Sequence, residues 1–347
     1  MNVTQARAVA RQWVLEEASP APGFAGAIFH GSSNWLPGDA PLPATSDLDL
    51  FVAHADANPP PKPGKFVYRG VILDVSSLPV DQLRSPSMVL GRYHLAGSFR
   101  TSSVIADPSG RLTSLQAAVA SDYAKRPWVA QRCEDARDNV LRHLESLREG
   151  EPFHDQVTAW LFATGVTTHI LLVAGLENPT VRRRYLAAED LLADYHRLDF
   201  YETLLASLGC AQIGRIQVEQ HLAALTDAFD AAKAVVKTPF FFASDISDLG
   251  RPIAIDGSRE LIADGHHREA VFWIVATYAR CQKIIYHDAP PAMRHRFDPG
   301  FRHLLGDLGI TSFADLQERG EQVLSLLPHV SAVASAIMAA NPAIEDA

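Results

Sequence analysis

Cysteine is nearly missing from this chain: its 347 residues include three, Cys133, Cys210 and Cys281. They are far apart and outside any metal-ligand spacing, which excludes a disulfide scaffold and fits a reducing cytoplasm. No apolar run approaches the length of a membrane span. The stretch from Met1 to Pro20 reads as an amphipathic helix with Arg7, Arg11, Glu16 and Glu17, not as a signal peptide. A cytoplasmic protein with no membrane partner is therefore expected. No fixed-period repeat stands out. Basic charge is also in deficit, with 31 Lys+Arg against 40 Asp+Glu and a net charge of −9. The first 112 residues hold nine of each sign, so the whole deficit falls beyond Leu112. Such an acidic second half repels a nucleic-acid backbone, so nucleic acid is not an expected partner. It suits a cationic small molecule, although acidic helices also serve solubility alone.

What is present divides into two textures. Val3 to Ala18 reads as a first helix, and Gly26 to His30 and Asp47 to Val52 as short apolar strands. The connections 34–45 and 58–64 are proline-rich and so not helical. Phe66 to Val75 is either one strand or a tight pair turning at Arg69-Gly70, and Val104 to Ala106 is a last strand. Beyond Leu112 the chain is Ala-rich and helical in period: Leu115 to Leu147 with an interruption near Pro127, Val157 to Leu176, Pro179 to Leu208, Ile216 to Val236, Arg259 to Ile285, and a set from Pro291 to Ala340. The expected fold is α+β, with a small mixed-sheet domain over 1–112 followed by a larger all-helical domain over 113–347. At this length two domains with separate cores are expected.

The chemistry concentrates in Phe29-His30-Gly31-Ser32-Ser33 and in Ser46-Asp47-Leu48-Asp49-Leu50-Phe51-Val52. Strand side chains alternate faces, so Asp47 and Asp49 project together while Leu48, Leu50 and Val52 face a core. Two adjacent carboxylates repel and are costly to desolvate unless a cation offsets them. Mg²⁺ meets that need with a few carboxylate oxygens plus substrate phosphates. Gly31 lets a backbone approach an anion, and the Ser32 hydroxyl and nearby N–H groups can donate to phosphate. Asp74, among apolar neighbours in Ile72-Leu73-Asp74-Val75, is an acid in a core strand and is expected to join the same metal site.

Phe29 to Ser32, Asp47, Asp49 and Asp74 together resemble the motif of the DNA polymerase β-like nucleotidyltransferase superfamily. The motif covers the first third of the chain. The large helical second part resembles, in texture, the branch that modifies antibiotics such as kanamycin and lincosamides. The chain departs from the motif in the spacer from Ser32 to Asp47, which is long and proline-rich. The resemblance implies an enzyme that moves an NMP, AMP from ATP being usual, to a hydroxyl of a small molecule such as an aminoglycoside, releasing pyrophosphate. It also implies Mg²⁺ on Asp47, Asp49 and Asp74, the β/γ-phosphates of the NTP on Gly31 and Ser32, and the acceptor on the helical domain, within one chain or across a homodimer. Modification of a protein or an RNA end is one alternative, and a catalytically idle nucleotide-binding or interaction protein is another.

Lys62, Lys65, Arg92 and Arg100 are candidates to meet a triphosphate; Arg92 and Arg100, flanking an aromatic-containing segment, are taken as the nucleotide-binding pair. The general base is left between Asp74 and Glu134, a glutamate from the helical part being the family's usual choice. His266 and His267 are adjacent, which is poor for joint ligation on a helix, and Asp264 is expected to cap the helix they begin. Trp160, Trp273 and Phe240 to Phe242 read as core.

Overall fold

The computed structural model describes residues 1–43, 45–56, 58 and 60–346. Ala44 and Pro59, which fall in the two expected proline-rich connections, lie outside the described residues, as do Ala57 and Ala347. The chain is α+β and divides into two compact units. The first comprises Met1–Asp135, Leu176–Asn178 and the C-terminal segment from Pro342; the second comprises Ala136–Gly175 and Pro179–Asn341.

The first unit is built on a five-stranded mixed sheet of β1 (Phe24–Phe29), β2 (Leu48–His54), β3 (Gly64–Tyr68), β4 (Val71–Pro79) and β5 (Val104–Ala106), in the order β3-β4-β2-β1-β5. The open choice at Arg69-Gly70 resolves as a hairpin: β3 and β4 are antiparallel, and both turn residues have positive φ. β4 then returns parallel to β2, so the strands of the aspartates are adjacent in space although β3 separates them in sequence. Strand alternation divides the core in two. On one face Ala27, Phe29, Leu48, Leu50, Leu73 and Val75 pack with Ala6, Ala10 and Val14 of α1 (Val3–Trp13) and the wider turn that follows it. On the other face Ile28 and Ala53 pack with Val89 and Leu90 of α2 (Pro86–Leu90) and with Leu112, Leu115 and Val119 of α3 (Arg111–Asp122). That packing corrects the expected boundary at 112. The sheet needs α3 to bury its second face, and the unit ends at Asp135, within α4 (Arg126–Glu145).

The second unit is helical: the rest of α4, then α5 (Phe153–Ala174), α6 (Arg184–Asp194), α7 (Leu198–Leu208), α8 (Arg215–Val235), α9 (Gly257–Ala263), α10 (His267–Asp288), α11 (Pro291–Asp307) and α12 (Phe313–Ala340). α5 and α10 pack on one another; α8, α9 and α11 flank α10, and α12 lies along α5. Two expected helices are each broken in two. His196 interrupts 179–208 with φ +55°, and Gly265 interrupts 259–285 with φ +96°, a conformation that ends a helix. Asp264 consequently closes α9 rather than capping α10.

Among the described residues two helices are long and apolar enough by length and composition to cross a membrane, contrary to expectation. In α5, 89% of the apolar window is buried within the protein, and in α12, 33%. The hydroxyls of Thr164, Thr167 and Thr168 break up the α5 run in the sequence. In the fold they donate to carbonyls of their own helix at 2.9, 2.6 and 2.8 Å, which lets so apolar a helix bury them. Trp160 and Phe242 are core residues as expected, whereas Phe241 is 77% exposed.

Candidate functional site

The site is assembled by strand register. Asp49 lies directly opposite Asp74 across the parallel β2–β4 pair, and Lys65 lies opposite Asp74 across the antiparallel β3–β4 pair. Leu48, Leu50, Leu73 and Val75 are packed on the α1 side, so alternation sends both acids to the other face. Asp47 precedes β2 and projects with Asp49. One carboxylate oxygen from each of Asp47, Asp49 and Asp74 lies within 4.8 Å of the others. Among the described residues this is the only set of three or more His, Cys, Asp or Glu side chains gathered so closely. The three acids chosen from the sequence are therefore brought together.

Two lysines enter the same cluster. Lys65 Nζ is hydrogen-bonded to Asp74 Oδ2 and lies 2.9 Å from Asp47 Oδ2, and Lys62 Nζ lies 2.8 Å from Asp74 Oδ1. Burial would raise the Asp74 carboxyl, but Lys65 and Lys62 outweigh it and hold that carboxyl below the usual carboxylate range. Asp49 behaves oppositely. Burial, then the charges of Asp47 and Asp74, push its carboxyl well above the ordinary value against the pull of the lysines. An acid so placed is stabilised by any further cation that reaches it.

The segment after β1 closes around Asp49. The His30 N–H donates to the Asp49 carbonyl at 2.9 Å. The His30 ring packs on Phe51 with centroids 4.2 Å apart, and its Nδ1 lies 2.6 Å from Ser98 Oγ. Burial, assisted by His94, pushes the His30 pKa down to about 3 despite the pull of Asp74, so the ring is neutral near pH 7. Gly31 follows with φ 67° and ψ −159°, a region open to glycine alone. A Cβ on Gly31 would stand 2.1 Å from Asp49 Oδ2, so only a bare backbone fits there. Ser32–Asn34 then makes one tight turn with Ser32 exposed. Asn34 Nδ2 donates to the Phe29 carbonyl at 2.8 Å, Arg7 donates to Asn34 Oδ1, and the Arg7 guanidinium lies over the Phe29 ring. The long spacer has a structural task of its own: the Gly38 and Ala40 carbonyls accept the Thr4 and Val3 N–H groups at the start of α1.

The remaining assignments are dispersed. Arg92 is exposed and pairs with Asp135 at 3.1 Å. Arg100 stacks on Trp35 at 4.5 Å, next to the Gly31–Asn34 turn, and donates to the Leu176 carbonyl. Glu134 is exposed on α4 and belongs to the first unit, not to the helical one. His266 lies 4.0 Å from Glu189, and His267 Nδ1 lies 3.4 Å from the Gly265 carbonyl. The cations at the aspartates are thus Lys62 and Lys65 rather than the assigned arginines. Their signal was compositional: the chain has six lysines, and two stand in Pro61-Lys62-Pro63-Gly64-Lys65, at the entry to β3. No sequence pattern marked the roles of Arg7, His30 and Ser98.

The chemistry of the donor set suits a hard divalent cation: carboxylate oxygens only, close together and partly shielded from water. Comparison with known proteins adds no identity, since no family model and no curated protein matches the chain.

Proposed function

We propose that the first unit is a metal-dependent nucleotidyltransferase domain, and that the protein moves an NMP from an NTP to a hydroxyl of a small molecule with release of pyrophosphate. The observation that carries the reading is the convergence of Asp47, Asp49 and Asp74 beside the bare backbone of Gly31. In it Asp47, Asp49 and Asp74 hold Mg²⁺, which when bound draws charge from the phosphates undergoing displacement. Gly31 and the Ser32 turn accept the polyphosphate, with Ser32 exposed and able to donate its hydroxyl. Lys62 and Lys65 add positive charge at the same place. ATP is the expected donor and a cationic, aminoglycoside-like molecule the expected acceptor, the latter because the net negative charge lies beyond residue 112.

The test is incubation of the full chain with each NTP, Mg²⁺ and a panel of hydroxylated antibiotics, with mass analysis of the small molecules and of the protein. A gain of one NMP on a small molecule, absent with Asp49→Asn, supports the proposal. A gain on the protein moves the acceptor class to polypeptides. A second reading is favoured by Lys62 and Lys65, which already neutralise Asp47 and Asp74: the cluster is an ion-pair network in an idle binding protein. Absence of transfer together with absence of divalent-ion binding would select it.

A further inference from the structure

We infer that Lys65, with Lys62 beside it, is the resident counter-cation of the aspartate site and makes metal binding there conditional on a polyphosphate. The inference rests on the nucleotidyltransferase reading and adds to it the order of affinities at the site. Lys65 is placed by register, facing Asp74 across the β3–β4 ladder. Its side chain is only 7% exposed, and its ammonium joins carboxylates from two chain segments, Asp74 on β4 and Asp47 ahead of β2. Lys62 takes the other oxygen of Asp74 from a position 28% exposed. Both oxygens of Asp74 and one of Asp47 are thereby engaged, and Asp74 and Asp47 are two of the three acids a divalent ion would use.

A divalent ion arriving alone therefore competes with two ammonium groups for the same acceptors. Success would leave a shielded ammonium without its anions and beside a like charge, and both consequences are unfavourable. A polyphosphate changes the balance. Its oxygens offer the displaced lysines new anionic partners at the place where the metal also needs phosphate ligands. Metal and polyphosphate must then raise each other's affinity by one common factor, because coupling between two ligands is reciprocal. Removing the Lys65 charge removes the competitor. Metal alone then binds more tightly, the polyphosphate more weakly, and the coupling factor shrinks.

The test uses Mn²⁺ as the probe, read by electron paramagnetic resonance on the full chain, with and without α,β-methylene-ATP. In the wild type Mn²⁺ alone should bind weakly, and the analogue should tighten it by about tenfold or more, the scale of one removed charge–charge competition. Lys65→Met should bind Mn²⁺ alone about tenfold more tightly than the wild type, with most of the coupling lost. Lys62→Met should move both quantities the same way by less, and being partly exposed it keeps the test available if Lys65→Met does not fold. Mn²⁺ affinity unchanged or weaker in the folded variants, with coupling intact in the wild type, overturns the inference while leaving the metal site standing. No Mn²⁺ binding to any of these proteins, with or without the analogue, overturns the metal reading and this inference together.

Discussion

Gly31→Ala separates backbone strain from collision. Gly31 sits at φ 67° and ψ −159°, where a residue with a side chain pays ~1–3 kcal/mol. For a unit of this size that corresponds to a fall in Tm of roughly 3–12 °C. A second effect adds to it, because the new Cβ would stand 2.1 Å from Asp49 Oδ2, a distance that real Cβ contacts essentially never show. Either the turn or the carboxylate must shift, and Asp49 is the residue whose position the metal reading depends on. Gly70 supplies the control. Its φ is +82°, but a Cβ there meets nothing within 4 Å, so Gly70→Ala carries strain without collision. The assay is thermal unfolding of both variants followed by Mn²⁺ titration in the presence of α,β-methylene-ATP. Gly31→Ala should lose more stability than Gly70→Ala and should bind Mn²⁺ more weakly, whereas Gly70→Ala should bind like the wild type. Equal destabilisation with unchanged Mn²⁺ binding in both would refute the close approach of Gly31 to Asp49 as a functional constraint.

Asp49→Asn should lower metal-dependent turnover by about 10²–10³-fold or more and raise the Tm of the metal-free protein, since burial and two neighbouring acids disfavour the Asp49 charge; a normal rate in steady-state kinetics would remove the aspartates from the chemistry. In the helical unit, Tyr201→Phe takes the donor at 2.5 Å from the buried Glu269 and should cost about 1–3 kcal/mol in urea unfolding. His169 is held neutral by burial, well below its ordinary pKa. The unfolded chain binds that proton below about pH 6.5 and the folded one does not. Stability is therefore expected to fall with acidity through that pH by up to ~1.4 kcal/mol per pH unit from this group, and denaturation across pH should show a shallower slope in His169→Gln.

The two-part texture was legible because binary patterning is local. The strands at Gly26–His30, Asp47–Val52 and Val104–Ala106 form close to their expected positions, and most helices do likewise. Helix ends were less legible, since His196 and Gly265 interrupt stretches whose apolar period continues across the break. The boundary at 112 was misplaced because a change of texture marks where helices begin, not which helices the sheet requires: α3 belongs with the strands by virtue of Leu112, Leu115 and Val119.

At the site the division is sharper. From the sequence by itself it follows that Asp47 and Asp49 share a face and that Leu48, Leu50 and Val52 take the other, because alternation is a property of any single strand. The third acid was also identifiable, as a carboxylate in an apolar strand. Only the tertiary structure decided that Asp49 stands opposite Asp74, that Lys65 completes the same row from the edge strand, and that Gly31 presses its backbone against Asp49. Register between strands is set by packing the apolar sets of β2 and β4 together against α1, and a slip of one residue would turn Asp74 into that core. Such a relation joins residues distant in sequence and has no signature within either segment alone.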